Sequence, residues 1–276
     1  MESRYPNILL DLYPYCNAKC KFCSYHHRKR SVHPMPESIW KKIIDEVGSA
    51  GEYNEIMPYY YGEPLMNPRL FEVCDYISEH APNAKISIST NCSLLTPENT
   101  EKLLNIKTLY FLNFSLYAGT KETYESVMGL KYENLDKVAY AVDQFRKRKP
   151  NVILCIGATD DGRFVTQPDC DELIRRFGGD IVSFHPISFN NQHGVHTRTG
   201  ENREPCPVPF TNAVVYCDGK VGICCFDVEC ELYVGDVTKT SMLEAVNSNL
   251  AKKYRFAHAN GCKDIIPLCR SCTQPI

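Results

Sequence analysis

The chain has 276 residues, 43% of them hydrophobic and 23% charged, with a formal net charge of −2. That is the balance of an ordinary globular protein, with room for one large domain or one domain and a small appendage. It excludes a global field drawing the chain to nucleic acid or membrane; no apolar run nears bilayer-spanning length, and the N-terminus lacks a secretory signal.

In chain order, the first strand is expected at "NILLDLY" from Asn7, followed by the cysteine-rich loop "YCNAKCKFCSYHH". A helix is expected after Pro36, with Ile39, Ile43, Ile44 and Val47 on its apolar face and Gly48 as its stop. Further strands are expected at "EIMPYYY" from Glu55, "AKISIS" from Ala84, "TLYFLNFSL" from Thr108, "NVILCIG" from Asn151 and "DIVSFHP" from Asp180. Helices after Asn67, Thr96 (with Pro97 in the first turn), Asn134 and Gln167 separate them. Such alternation predicts an α/β fold whose parallel strands are buried on both faces. Six units fall short of a closed eight-stranded barrel.

The polar, aperiodic stretch "SFNNQHGVHTRTGENREP" reads as a loop or linker. After it, "FTNAVVYCDGKVGICCF" predicts a hairpin turning at Asp218–Gly219, then a helix around Ser241 to Arg255 and a cysteine-bearing tail. Eight of the fifteen cysteines lie from Cys206 onward. With a cytoplasmic location expected, they read as metal ligands, core residues or reactive thiols rather than a disulfide framework. The basic runs at Arg28 and Arg146 read as solvated surface.

Cys16, Cys20 and Cys23 follow the first strand directly, at the end where α/β folds place their chemistry. Three thiolates on a four-iron cubane leave one iron open, and an open metal position marks a catalytic site. The alternative is a zinc clip pairing Cys20 and Cys23 with Cys269 and Cys272, which leaves Cys16 out. Later strands end in Gly62-Glu63-Pro64, in Ser89, Thr90 and Asn91, and in Ser115, so small polar residues recur at one rim.

These features resemble the radical S-adenosylmethionine (radical SAM) enzymes. The shared motifs are C-x3-C-x-aromatic-C (Cys16, Cys20, Phe22, Cys23), G-E-P, S-T-N and the stretch S-L-x-A-x-T-x-E-T-Y from Ser115. The resemblance implies a partial (β/α)6 TIM-like barrel with a [4Fe-4S] cluster on the three cysteines. The amino and carboxylate groups of S-adenosylmethionine would complete that cluster. Backbone oxygens of Gly62 and Glu63 would take the amino group, Ser115 would touch the carboxylate or ribose, and Phe22 would pack near the adenine. Pro64, Ser89 and Asn91 belong to the same cofactor-binding segments. Tyr61 stands where a glycine is usual, a departure some members share. The implied chemistry is reductive cleavage of S-adenosylmethionine to a 5′-deoxyadenosyl radical, which takes a hydrogen atom from an unactivated carbon.

Cys206, the G-x4-C spacing from Gly219 to Cys224, and Cys269-x2-Cys272 resemble the twitch domain, a shortened SPASM domain. The implied ligands of one auxiliary four-iron cluster are Cys206, Cys224, Cys269 and Cys272, with Cys225 the alternative to Cys224. A zinc knuckle on the same residues is the competing reading. The expected organisation is a barrel over 1–190, a linker over 191–202 and a small α+β twitch domain over 203–276.

Cys225 and Asp227 are candidate catalytic residues; His26, His27, His185, His193 and His196 are pocket candidates by position alone. By analogy with aminocyclitol-oxidising members, the expected reaction is two-electron oxidation of a small hydroxylated substrate (sugar, aminocyclitol or nucleoside), with the auxiliary cluster as electron acceptor. The alternatives are a radical epimerase with Cys225 as hydrogen-atom donor, a peptide maturase, and a zinc-stabilised binding protein without redox chemistry. A strand starting so near the N-terminus disfavours the maturase, since it leaves no room for a leader-binding module. An external one-electron reductant such as flavodoxin or ferredoxin is the expected protein partner.

Overall fold

The structure, a computed structural model, describes residues 7–51, 55–159, 164–184, 205–270 and 272. Six parallel strands form in order: β1 (Asn7–Leu10), β2 (Glu55–Met57), β3 (Lys85–Thr90), β4 (Leu109–Tyr117), β5 (Ile153–Ala158) and β6 (Val182–Phe184). Between them run helices α1 (Glu37–Ala50), α2 (Leu70–His80), α3 (Pro97–Asn105), α4 (Lys121–Met128), α5 (Asn134–Arg148) and α6 (Gln167–Phe177). The fold is thus the expected α/β partial barrel. The C-terminal part adds α7 (Val208–Thr211), β7 (Asn212–Val215), β8 (Lys220–Gly222), β9 (Tyr233–Asp236), α8 (Met242–Val246), α9 (Asn249–Ala259) and α10 (Pro267–Arg270). One nine-stranded sheet runs through both parts in the order β6-β5-β4-β3-β2-β1-β7-β8-β9. Its joint is the parallel pairing of β1 with β7, Ile8 opposite Ala213 and Leu10 opposite Val215.

β1 is apolar and buried on both faces, as expected (Ile8, Leu9 and Leu10), but β3 and β4 alternate with polar residues. Ile8, Leu10, Ile56, Ile86, Ile88, Leu112, Phe114 and Ile156 are fully buried in the main core with the helices, whose contributions include Ile43, Ile44, Ile77, Leu103, Val138 and Leu173. The opposite face carries Ser87, Ser89, Asn113 and Ser115, which bond to one another or to Glu55. A polar inner face is what a barrel needs to receive a polar ligand.

Several strands are shorter than the apolar runs suggest. β2 stops at Met57 because Pro58 has no N–H to give the ladder. At Thr96 the expected cap forms: its side chain accepts Asn99 N–H, with Pro97 opening α3. The hairpin turns where expected and gains β9 as a third strand. The helix expected around Ser241 to Arg255 is instead α8 and α9, because Ser248 caps a new helix by accepting Ala251 N–H. Neither α4 nor α10 was anticipated. The linker over 191–202, with His185, His193 and His196, lies outside the described residues. Among the described residues no helix is long and apolar enough to cross a membrane.

Gly48 is not the stop of α1. The helix runs on to Ala50, and Gly51, at φ +70°, caps it in the left-handed region. Gly48 is instead a contact point, since a β-carbon there would collide with the carbonyl oxygen of His80 at the end of α2. A glycine-to-alanine change inside a helix ordinarily gains roughly 0.5–1 kcal/mol. Here Gly48→Ala is expected to cost about 1–3 kcal/mol by overpacking, read as a lower midpoint in chemical denaturation. A stabilised variant would contradict this packing.

Candidate active site

The loop after β1 is held by its own backbone. Lys19 and Lys21 N–H groups donate to Met128 and Val127 carbonyls at the end of α4, and Cys16 N–H donates to the Tyr25 hydroxyl (3.0 Å). His26 reaches back to the Ala18 carbonyl (3.0 Å), and His27 follows it on the exposed outer face. The loop carries Cys16, Cys20 and Cys23 together at one rim, all partly buried and all free thiols. Burial raises all three thiol pKa values, Cys23 to about 11, and for Cys20 and Cys23 the like charge of neighbouring thiols adds to it. Three crowded thiols that resist ionisation together suit a strongly cationic group that takes them as thiolates.

The neighbouring strand ends close on this loop. Glu63 is 2% exposed, and its backbone N–H donates to the Tyr15 carbonyl (2.8 Å). Its carboxylate accepts from Leu65 N–H (3.0 Å), Thr90 hydroxyl (2.6 Å) and Asn91 N–H (2.7 Å). Burial pushes its pKa up to about 7, against the downward pull of these three bonds. Pro64, buried, opens a short helical turn behind it. Gly62 is needed for a close approach within the protein itself. A β-carbon there would strike the Tyr13 carbonyl oxygen, so the approach is backbone on backbone. Asn91 contacts the cysteine loop directly, donating to Asn17 Oδ1 (2.9 Å) and lying 3.7 Å from Cys16 Sγ.

Further along the rim, Ser89 and Ser115 hydroxyls are 2.9 Å apart, and Asn113 donates to both (2.7 and 3.1 Å). Phe22 is buried against Tyr117 (centroids 4.6 Å) and Phe164 (5.9 Å). Sequence reasoning missed Asn113 and Tyr117. Tyr117 takes φ +62° where the β4–β5 register shifts, and backbone strain of this kind gathers at functional sites. Asn113 sits two residues before Ser115, on the same strand face, and that period of two was a usable signal.

The C-terminal cysteines form a second constellation. One pocket is lined by Cys206, Cys224, Cys269 and Cys272, with Val208, Pro209, Phe226, Leu232 and Leu268 as apolar walls. His258 and Lys263 complete it. The Cys206 N–H donates to His258 Nδ1 (3.3 Å), while His258 Nε2 is buried without a partner. Among the described residues no three His, Cys, Asp or Glu side chains were found set to hold a single metal ion. The four thiols instead line a hollow, which suits a polynuclear cluster.

Cys225 packs against the small cluster of Leu9, Tyr60, Val214 and Tyr216, beside Met57 and Tyr61, and its thiol also lies within electrostatic reach of Cys206 and Cys272. Burial pushes its thiol up to about 12. Tyr61 packs on Tyr60 (4.7 Å) and its hydroxyl meets the Phe226 carbonyl at 3.5 Å, so this residue bridges the β2 rim and the hairpin loop. Asp227, expected near substrate, is fully buried. Its carboxylate accepts Leu232 N–H (2.6 Å) and Tyr216 donates to its carbonyl (2.5 Å), so it braces the turn that carries Cys224. Arg30 fastens the two loops: it donates to the Val228 carbonyl (2.8 Å), and its guanidinium pairs with buried Asp11.

The carboxyl of Glu63, with its folded pKa raised, contributes stability below the unfolded value that is lost as pH rises through about 7. The neutral amide of Glu63→Gln should cost about 1–3 kcal/mol. The margin of the natural chain over the variant should shrink between pH ~6 and pH ~8, read by thermal unfolding at both. A margin that widens with pH would contradict the shift.

Residues 10–162 match the family model of the radical SAM superfamily, and residues 206–273 match that of an iron–sulfur cluster-binding domain, SPASM. The chain is 21% identical over 275 residues to the S-adenosyl-L-methionine-dependent 2-deoxy-scyllo-inosamine dehydrogenase of Niallia circulans, covering 99% of this chain and 95% of that one. Among solved structures it is similar to BtrN in complex with AdoMet and 2-DOIA (TM-score 0.70, 20% identity, 99% and 95% covered). It is also similar to native anSMEcpe with bound AdoMet (0.68, 18%, 97% and 89%) and to Streptococcus suis SuiB bound to precursor peptide SuiA (0.63, 14%, 92% and 67%). Identities this low establish the fold alone. The first family model, however, spans more than half of the chain, and with it come the [4Fe-4S] cluster and S-adenosylmethionine of that domain and the auxiliary cluster of the second. The chain is a radical SAM enzyme, a member of the radical SAM superfamily with a C-terminal SPASM-type domain.

Proposed function

We propose that this enzyme is an oxidoreductase that dehydrogenates a C–H next to a hydroxyl in a small polyhydroxylated substrate, an aminocyclitol first among sugars and nucleosides. The observation that carries the reading is the four-cysteine pocket of the C-terminal part, whose strand β7 pairs with the barrel strand β1; it offers a home for an electron acceptor. A relative that matches along nearly the whole chain is an aminocyclitol dehydrogenase, which supports the same outcome.

In this reading Cys16, Cys20 and Cys23 hold the first cluster, and Cys206, Cys224, Cys269 and Cys272 hold the second. When bound, the first cluster and S-adenosylmethionine supply a 5′-deoxyadenosyl radical. Gly62, Glu63 and Pro64 present main chain to the cofactor, Ser89, Asn91 and Ser115 offer polar contacts, and Phe22 walls the adenine side. The four-cysteine pocket would hold the acceptor for the second electron of the oxidation, whose proton would pass to solvent, so that the product would be a carbonyl.

The polar inner face of Ser87, Ser89 and Asn113 suits hydroxyl groups, while Tyr60 and Tyr61 exclude water on the hairpin side. The proposed division is a barrel to about residue 190 and a twitch domain from about residue 203. A flavodoxin or ferredoxin would supply electrons, and all fifteen cysteines being free supports a reducing, cytoplasmic setting.

A second reading, epimerisation, is favoured by one observation: Cys225 packs with Leu9 of the barrel strand β1 and Tyr60 of the β2 rim. Peptide modification remains the third, supported by the likeness to a peptide-bound structure. Anaerobic turnover in D2O separates them, with 2-deoxy-scyllo-inosamine as the first probe. Dehydrogenation predicts a ketone and 5′-deoxyadenosine in equal amounts, with no solvent deuterium on carbon, in both the natural chain and Cys225→Ala. Deuterated, epimerised product that disappears in Cys225→Ala would overturn it.

A further inference from the structure

The four-cysteine pocket contains two groups that nothing so far described uses. His258 is 1% exposed and Lys263 is 5% exposed, and both side chains line that pocket. The Cys206 N–H donates to His258 Nδ1 at 3.3 Å, so Nδ1 carries no proton and the neutral ring must carry its hydrogen on Nε2. Nε2 is buried and has no partner. A buried N–H donor without an acceptor costs about 1–3 kcal/mol, so a position that keeps one calls for an acceptor inside the pocket. The Lys263 ammonium makes no ion pair or hydrogen bond among the described residues, although twelve other lysines and arginines there pair with carboxylates. It acts electrostatically on Cys206 and Cys269.

We propose that His258 and Lys263 are positioning residues for the auxiliary cluster: the Nε2–H donates to a cluster or cysteine sulfur and the ammonium sits beside it, and together they raise the cluster's reduction potential. This rests on the four cysteines holding an iron–sulfur cluster. A reduced cluster carries one more negative charge than an oxidised one. In an apolar pocket a donor and a cation therefore stabilise the reduced form more, and hydrogen bonds and net charge are the usual controls of such potentials. The pocket walls of Val208, Leu232 and Leu268 keep water from screening either group. The arrangement makes the second site a better electron acceptor, the property that the proposed dehydrogenation requires.

The test is a potentiometric EPR titration of the full chain carrying Cys16→Ala, Cys20→Ala and Cys23→Ala, so that one cluster signal remains. Lys263→Gln and His258→Phe should each lower the cluster's electron affinity about tenfold, a midpoint about 59 mV more negative for one electron, while Lys263→Arg holds the natural value. Midpoints unchanged in both variants, with iron retained, would overturn the proposal. If a variant loses its iron, the natural chain decides: with 15N-labelled histidine, pulsed EPR of the reduced auxiliary cluster should show one coupled nitrogen and one exchangeable proton. Absence of that coupling would equally overturn it. Zinc in place of iron at these cysteines would instead refute the underlying reading.

Discussion

The site depends on one buried carboxylate. Glu63 joins three strand ends: its backbone N–H holds the cysteine loop at Tyr15, and its side chain gathers Leu65 on its own turn and Thr90 and Asn91 at the end of β3. Removing a carboxylate from water is costly, and three donors offset that cost only if all of them arrive together. The arrangement is therefore all-or-none, which is what a site with precisely placed thiols needs. Gly62 adds a steric condition to the electrostatic one, since the two backbones touch where a β-carbon would sit. Asn91 then carries the geometry to Cys16 itself.

A second constraint sets the relation between the two constellations. β7 continues the barrel sheet from β1, so the hairpin that precedes Cys224 lies in the same sheet, next to the strand that precedes Cys16. In the loop after β8, Cys224 lines the four-cysteine pocket, while Cys225 packs with Leu9 and Tyr60 and stays within electrostatic reach of Cys206 and Cys272. Arg30 and Asp227 hold the loops on either side of that pair, the first between loops and the second within one turn. Tyr61 spans the same gap from the β2 rim, where its aromatic ring replaces the glycine usual in the motif.

Much of this was legible in the residues, for physical reasons. Apolar runs separated by amphipathic segments announce a parallel sheet, and cysteines at fixed short spacings announce a metal centre, because both patterns arise from local geometry. What the residues did not disclose depends on distant partners. Gly48 reads as a helix stop until His80 is seen against it, and the close approach of Gly62 to the Tyr13 backbone is likewise invisible in the residues. Asp227 looked like a pocket residue because it follows the hairpin, but its partner is Leu232. The orphaned nitrogen of His258 could not be seen at all without the fold, since its meaning lies in a bond from Cys206, distant in sequence. The alternation of the strands was visible in "KISIST", where Ser87 and Ser89 interrupt the apolar face, yet it was overridden by the general habit of buried parallel strands.

The central claim is that one chain holds two four-iron clusters. It is tested most directly by counting iron, sulfide and zinc per chain after anaerobic purification, in the natural protein and in Cys206→Ala. The account predicts about eight irons and no zinc, falling to about four irons in the variant. Stoichiometric zinc at the C-terminal cysteines, or an iron count that Cys206→Ala leaves unchanged, would contradict it.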